Sequence, residues 1–378
     1  MANGYCEALL LHLTSIAGQN YPGKKVTPPG FVNMLLQQPN RPTTIQDAYQ
    51  GGHRRDVRIK YKVRTTEGQV STSDTCALDL VPLYKETTAS VDNIAQIGLF
   101  IADDTIRQYC EEASRTVAIE QPASSMMAEH LDSILHAMNG LYQKMETTLT
   151  TSMASLFGKH VATGTATAVS VNIEQDSTLN DLTTGLTKML TDFEANEFCG
   201  TPMFVGALGG LMHSYDVQFR NRVMSVGDGF NAQGLADAMG FQFFASGRTG
   251  TTWGAQHVGM FAPESVHLIE RLDNTGSFAG NKGNSTFGTI IDPRVQCWTP
   301  NGLSNVQFDF QMKYIDCPEE VAGSLSSGYI NESNASGRGY FFAIKKRYGL
   351  FTTPTDAFDG ADRMAGSNGS LRYAISNS

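Results

Sequence analysis

Several features that would define a class of protein are missing from this chain of 378 residues. No apolar run approaches the roughly 20 residues that span a bilayer, so we expect no membrane partner. The six cysteines form no Cys-x-x-Cys pair and indicate scattered thiols of a reducing compartment, not a disulfide framework. The opening residues, MANGYCEALLLHLTSIAG, lack the basic region of a secretory signal. The net charge of −9 argues against an overall basic surface for nucleic acid.

Motifs for catalysis and cofactor binding are also scarce. GQNYPGKK, at 18–25, satisfies G-x-x-x-x-G-K, but Lys25 stands where a phosphate loop needs Ser or Thr, and two prolines soon follow. FVGALGG, at 204–210, has glycines at a strand–helix junction, where a tight turn explains them without a ligand. The histidines show no zinc spacing. A Cys–His pair formed by folding stays open, but no residue is singled out. We therefore predict no catalytic residue, cofactor or metal ion.

What the chain does have is a basic stretch, HRRDVRIKYKVR, from His53 to Arg64. Its residues alternate between an apolar set and a basic set, which predicts a strand with two unlike faces. The apolar set is Val57, Ile59, Tyr61 and Val63, and the basic set is Arg58, Lys60, Lys62 and Arg64. A turn at Glu67-Gly68 would pair Ile59 with Cys76 in a long hairpin.

In that register no carboxylate stands opposite Lys60, Lys62 or Arg64, so the basic face would seek partners elsewhere. Three interpretations are open: a solvated face, contact with an acidic protein surface, or contact with nucleic acid. Contact with nucleic acid would usually call for stacking aromatics, and Tyr61 lies on the apolar face. We favour an acidic protein surface and predict six contact residues: Arg54, Arg55, Arg58, Lys60, Lys62 and Arg64.

The segments around this hairpin differ in how much core they can build. Residues 20–48 are rich in Pro, Gln and Asn and predict an arm with one helical turn at Phe31–Leu36. An arm with so little core of its own must lie on something else. Two helices are predicted next, over Ser90–Ser114 and about Ser125–Phe157. The second has apolar residues three or four apart throughout, which indicates a long structural strut.

The rest of the chain first alternates helices with strands and then turns to strands. Residues 162–172 predict a linker or a flexible strand. Strands are predicted at 201–206, 241–246 and 256–262, with helices at Asp181–Phe198 and within 207–240. PESVHLIER, from Pro263, predicts a further helix. From Phe287 onward the pattern is mostly strand, ending in SLRYAI. No internal repeat is present.

This order of parts resembles the major capsid proteins of tailed bacteriophages, the Hong Kong ninety-seven fold, which encapsulin shells share. The resemblance lies in GGHRRDVRIKYKVRTTEGQVSTSDTC as the extended loop, in the 125–157 helix as the spine, and in GMFAPESVHLIERL as a return to the body. The ending YGLFTTPTDAFDGADRMAGSNGSLRYAIS resembles capsid proteins of phages of Bacteroidetes-type hosts. The implied fold class is α+β. Its parts are an N-terminal arm (1–48), an extended β-hairpin loop (49–88), a peripheral domain with the spine helix (89–165), an axial α/β domain (166–262) and returning strands (263–378).

The resemblance implies a function without catalysis. Subunits would form hexamers and pentamers of an icosahedral shell around double-stranded DNA, which they would contact weakly. Portal, scaffold and decoration or tail proteins are implied partners, with assembly in the host cytoplasm and the virion as the final location. Six acidic residues are expected to receive the basic face of a neighbour: Asp103, Asp104, Glu111, Glu112, Glu129 and Asp132. The alternatives are a tail-tube or sheath protein, an encapsulin-like shell, or an α/β enzyme.

Overall fold

A computed structural model describes about half of the chain. The described residues are 28–38, 56–64, 83–102, 121–160, 163–172, 189–207, 240–272, 280–282, 285–299, 302–315, 339–357 and 366–376. The helices are α1 (Gly30–Gln37), α2 (Gln121–Ala154) and α3 (Thr249–Thr252). The strands are β1 (Asp56–Lys62), β2 (Tyr84–Ser90), β3 (Asn93–Ala102), β4 (Val169–Asn172), β5 (Met203–Gly206), β6 (Gln242–Ala245), β7 (His257–Phe261), β8 (Val266–Arg271), β9 (Gly280–Lys282), β10 (Ser285–Thr299), β11 (Gly302–Ile315), β12 (Gly339–Thr352) and β13 (Ser370–Ser376).

The described strands form three sheets. A six-stranded antiparallel sheet has the order β3-β12-β11-β10-β9, and β8 also pairs with β12. A five-stranded mixed sheet has the order β4-β13-β7-β5-β6. The third sheet is a two-stranded ribbon of β1 and β2. The predicted strands after Phe287, the final strand and the strands near 201–206, 241–246 and 256–262 are confirmed.

The long helix α2 packs its described C-terminal half into the main core. The predicted apolar positions from residue 134 onward are buried, with Met138 at 0% and Leu149 at 0% exposure, and only Leu156, beyond the helix, is exposed. This core also takes in α1 and the inner residues of both larger sheets. A second core covers the other side of the five-stranded sheet, where Met189 and Phe193 of a helical segment at 189–195 pack. The Asp181–Phe198 prediction is confirmed as a helix over 189–195 of its described residues.

The helix predicted over Ser90–Ser114 is wrong for its described part. Residues 93–102 form β3, an edge strand that pairs with β12 from Tyr348↔Asn93 to Gly339↔Ala102. The first residues alternate as a strand does, because Ile94 is exposed and Ala95 is buried. The isoleucines favour a strand in any case, since β-branched side chains lose rotamer freedom in a helix, and Gly98 weakens a helix.

The helix predicted from Pro263 is also wrong. The chain makes a tight turn in which the Ser265 N–H donates to the Ala262 carbonyl at 3.2 Å, and Glu264 takes a left-handed φ of 64°. It then continues as β8, which pairs with β12 and is buried on both faces. A strand buried on both faces lacks alternation, so periodicity does not separate it from a short helix.

The predicted arm is not without a core. The helical turn expected at Phe31–Leu36 is confirmed as α1, and its apolar residues are buried in the main core of the same chain. Residues 1–27 and 39–48 lie outside the described residues, as do the G-x-x-x-x-G-K segment and residues 208–239, where helices are predicted. Gly206 ends β5, and a Cβ there would lie 2.9 Å from a methyl group of Val258, so close packing explains this glycine.

Candidate interaction surface

The ribbon of β1 and β2 has the two unlike faces that the alternation predicts. β1 pairs antiparallel with β2 in a register that places Ile59 opposite Thr87 and Lys60 opposite Glu86. The pairing proposed with residues 70–80 lies outside the described residues, and β2 was not foreseen as a partner. In the pairing with β2, a carboxylate does stand opposite Lys60, because Glu86 occupies that position.

The outer face of the ribbon is basic and exposed to solvent. Arg58, Lys60 and Lys62 are exposed, and so is Tyr84, with 67% of its surface accessible. Glu86 is the carboxylate that β2 adds to this face, and it lies 3.5 Å from the Arg58 guanidinium. Both side chains of this pair are exposed, so it contributes little stability. Asp56 holds a further position of this face at the start of β1, so three cations stand against two carboxylates and the face stays positive.

The inner face packs on the body of the same chain. Ile59 and Ala89 are buried in a small cluster with Val91, Ile269 of β8 and Phe351 of β12. The ribbon therefore finds, at its base, part of the apolar surface that a lone two-stranded hairpin needs.

A polar anchor completes the attachment of the ribbon. The Tyr61 hydroxyl donates to Asp356 Oδ1 at 2.9 Å, and the Lys85 ammonium pairs with the other carboxylate oxygen. The Arg64 backbone N–H donates to the Asp356 carbonyl at 3.0 Å. Partial burial acts to raise the pKa of the Asp356 carboxyl, but the bonds from Lys85 and Tyr61 outweigh it and hold the pKa below its usual value.

The six predicted contact residues have different positions. Arg58, Lys60 and Lys62 lie together on the outer face, whereas Arg64 is half-buried near Asp356. Arg54 and Arg55 lie outside the described residues. The acidic candidates Asp103, Asp104, Glu111 and Glu112 also lie outside them, and the side chains of Glu129 and Asp132 are not described.

Sequence reasoning missed the exposed apolar residues at the start of β2. Leu83 is 57% exposed and Tyr84 stands opposite Lys62 in the register. The available signal was the alternation in LYKETTAS, which is weak because most of its residues are polar. A second exposed pair, Trp298 and Leu303, stands at opposing positions of β10 and β11. Exposed aromatic side chains of this kind are enriched at protein interfaces.

Two buried ion pairs lie inside the body among the described residues. Arg294 binds Asp292 at 2.9 Å and donates to the Leu135 carbonyl of α2, while Tyr142 donates to Asp292. Burial, followed by the nearby carboxylate of Asp292, raises the pKa of Tyr142. These contacts attach α2 to β10 at the point where the register of β10 with β11 shifts, between Asp292 and Gln296.

A second buried pair lies where the large sheet divides. β12 pairs with β11 up to Lys345 and with β8 from Arg347 onward. Lys346, between these two stretches, has its ammonium 3.1 Å from Glu270 of β8 and donates to the Gln307 carbonyl of β11. The pair is thus a structural link between diverging strands.

No group of three His, Cys, Asp or Glu side chains with the arrangement of a metal site occurs among the described residues. Of the described cysteines, Cys199 is exposed, Cys297 is buried, and both are free thiols. Within the described part of the chain, no helix combines the length and apolarity needed to cross a membrane.

Comparisons with known proteins give similarity at the level of structure. No family model matches the chain, and no curated protein matches it by sequence. Among solved structures, the capsid of the cyanophage P-SCSP1u is similar with a TM-score of 0.42 and 10% identity, covering 96% of this chain and 92% of the other. The capsid of the Myoviridae phage XM1 has a TM-score of 0.41 and 8% identity, covering 95% of each chain. The capsid asymmetric unit of cyanophage A-1(L) has a TM-score of 0.41 and 10% identity, covering 95% and 98%.

Proposed function

We propose that this chain is the major capsid protein of a tailed bacteriophage and assembles with copies of itself into a closed shell. The observation that carries the proposal is the outer face of the β1–β2 ribbon. It presents Arg58, Lys60 and Lys62 on a chain whose net charge is −9. A second copy is the partner whose overall charge complements this face.

The chemistry of the ribbon end fits a protein partner better than a purely solvated role. Leu83 and Tyr84 add exposed apolar and aromatic surface beside Lys62. Protein interfaces combine such anchors with a charged rim, and Tyr is among the residues that most often dominate their energy. A face that only solubilised the ribbon would have no need of them.

The distribution of strands supports the proposed division of the chain. The six-stranded sheet takes β3 from 89–165 and its other strands from 263–378, and the five-stranded sheet takes β13 from 263–378 beside strands of 166–262. Both sheets therefore receive strands from the C-terminal segment, as the returning strands of the expected architecture require. In this proposal α2 is the spine helix, and the β1–β2 ribbon is the part of the extended loop that lies against the body.

The finer parts of the proposal follow from the same architecture. Copies would form hexamers and pentamers of an icosahedral shell that encloses double-stranded DNA, with portal, scaffold and decoration or tail proteins as further partners. Assembly would take place in the host cytoplasm, and the mature protein would reside in the virion. The role is structural, without catalysis or a cofactor.

Electron microscopy of the purified, concentrated protein tests the proposal. We expect closed shells, or hexamers and pentamers that convert to shells. Rings or tubes would favour a tail-tube or sheath protein and contradict the proposal. A protein that stays monomeric at all concentrations, salt conditions and pH values would also contradict it.

A further inference from the structure

The short helix α1 lies where three parts of the fold meet. It packs against α2, against β5 and β6 of the five-stranded sheet, and against β8 and β10 of the six-stranded sheet. Its sequence, GFVNMLLQ, carries no charge, and Phe31, Val32, Met34, Leu35 and Leu36 are at most 1% exposed. Side-chain packing and the hydrogen bonds at its ends therefore hold this helix in place.

The first N–H groups of α1 are bound by a residue from another element. Pro29 stands at the N-cap position and provides no side-chain cap. Glu146 of α2 takes over this role, because its two carboxylate oxygens accept the Phe31 N–H at 3.1 Å and the Val32 N–H at 2.8 Å. A carboxylate at a helix N-terminus also interacts favourably with the helix dipole.

Glu146 is itself completely buried and joins a third element. The Ser246 hydroxyl, just after β6, donates to the same carboxylate. Burial raises the pKa of Glu146, whereas the bonds from Ser246, Val32 and Phe31 and the charge of Arg248 act to lower it. Arg248 reaches the neighbouring Thr147 side chain at 2.6 Å. A buried carboxylate of this kind is retained only because donors surround it.

The apolar side of α1 closes over a group of aromatic rings. The Phe31 ring is 5.8 Å from Trp253, edge-on, and 5.5 Å from Phe261. Trp253 and Phe261 also contact Phe157, which follows α2. Gly30 lies so close to the Ala245 carbonyl that a Cβ would overlap it. The surface on which α1 packs therefore has a specific shape.

We infer that α1 is a clasp that opens and closes as a unit, and that the Glu146 carboxylate holds it shut. An eight-residue helix is not stable alone, so a detached α1 would unfold. The burial of its five apolar side chains and the entropy of ordering its backbone are opposing terms of the same order. Two hydrogen bonds to a buried carboxylate then decide the balance. The inference is independent of the proposed function, since it concerns folding within one chain.

Hydrogen exchange read by mass spectrometry or NMR tests the clasp in the full-length protein. In Glu146→Ala we expect exchange of the 30–37 amides to accelerate by about 100-fold or more, the equivalent of losing two charge-assisted bonds. Glu146→Gln should give a smaller acceleration, because it keeps one acceptor oxygen but turns an N–H donor toward the other amide. The amides of β10, β11 and β12 should keep their protection in both variants.

Ser246→Ala is the matched control. It removes one bond to Glu146 but leaves both bonds to α1, so the 30–37 amides should exchange nearly as in the unchanged protein. Trp253 gives a second readout in a Trp298→Phe background, where it is the remaining tryptophan. Opening of the clasp should increase the quenching of Trp253 fluorescence by acrylamide in Glu146→Ala but not in Ser246→Ala.

Three results would overturn the inference. Unchanged exchange at 30–37 in Glu146→Ala would show that the carboxylate does not hold the helix. Equal acceleration of the 30–37 amides and of the β10–β12 amides would show that α1 opens only with the whole fold. Failure of both Glu146 variants to fold would likewise make α1 an inseparable part of the core.

Discussion

Asp356 shows how a single carboxyl can hold the base of the ribbon. It receives the Tyr61 hydroxyl and the Lys85 ammonium, one residue from each strand of a cross-strand pair. Because both bonds favour the ionised form, the pKa of Asp356 lies below its usual value of 3.8. The stability that it contributes is therefore present above pH 3.8 and is lost as the pH falls through the lower pKa of the folded state.

Asp356→Asn should lower the free energy of unfolding by about 1 kcal/mol at neutral pH, since the bonds are partly exposed. Urea titrations of both proteins across the acid range provide the measurement. The difference between them should shrink toward zero at low pH, where the native carboxyl is protonated. A difference that stays constant down to pH 2 would contradict the assigned role of the charge.

Lys346 is a residue whose loss should be far more costly. The Lys346 side chain is 0% exposed, and the side chain of its partner Glu270 is 4% exposed. Lys346→Met leaves Glu270 without this cation, and breaking one side of a buried ion pair costs about 3–5 kcal/mol. Chemical denaturation should show this loss, and the double variant Lys346→Met with Glu270→Gln should recover part of it. No recovery in the double variant would show that the strand packing, not the pair, carries the effect.

At the scale of elements, two regions predicted as helices form strands. In both, tertiary pairing with β12 decides the outcome: β3 lies along one edge of β12, and β8 lies along its far end. The helix α2 was predictable because its apolar residues keep helical spacing over many turns. β8 is short and apolar, and Ile94, Ile97 and Ile101 of the ten-residue β3 also fit helical spacing, so local pattern alone is ambiguous for both.

The turn that leads into β8 offers a test of local strain. Glu264 has a φ of 64°, which is unfavourable for a residue with a Cβ, and its side chain is exposed. Glu264→Gly should raise the free energy of unfolding by about 0.5–1 kcal/mol, since the relief of strain exceeds the added entropy of the unfolded chain. Glu264→Ala removes the same carboxylate but keeps the strain, so it serves as the control in thermal denaturation. Equal effects of the two variants would contradict this account.

At the scale of the whole molecule, charge is distributed unevenly. The chain carries −9 overall, yet the outer face of the ribbon has Arg58, Lys60 and Lys62 against Asp56 and Glu86. The inner face of the ribbon is attached to its own body through Ile59 and Asp356. A reversal of charge on the outer face should therefore affect association and leave the fold intact.

Arg58→Glu combined with Lys60→Glu should impair assembly by at least tenfold in yield, because two attractive contacts become repulsive at each interface. Electron microscopy and sedimentation measure the assemblies, and circular dichroism checks that the subunit is folded. Lys144→Glu with Lys159→Glu is the control, since it makes the same change of charge at exposed positions away from the ribbon. Normal assembly of the ribbon variant would rule out electrostatic docking through this face.

The sequence by itself determined the elements whose signal is local. The alternation in β1, the helical spacing of α2 and the strands after Phe287 all depend on which face of an element meets water, and residue order records that directly. It also placed Arg58, Lys60 and Lys62 on one face. The tertiary structure alone decided that β1 pairs with β2, that β8 is a strand and that Glu146 caps α1 from a distance of 115 residues along the chain. Such partners are chosen by packing between distant segments, for which no local pattern exists.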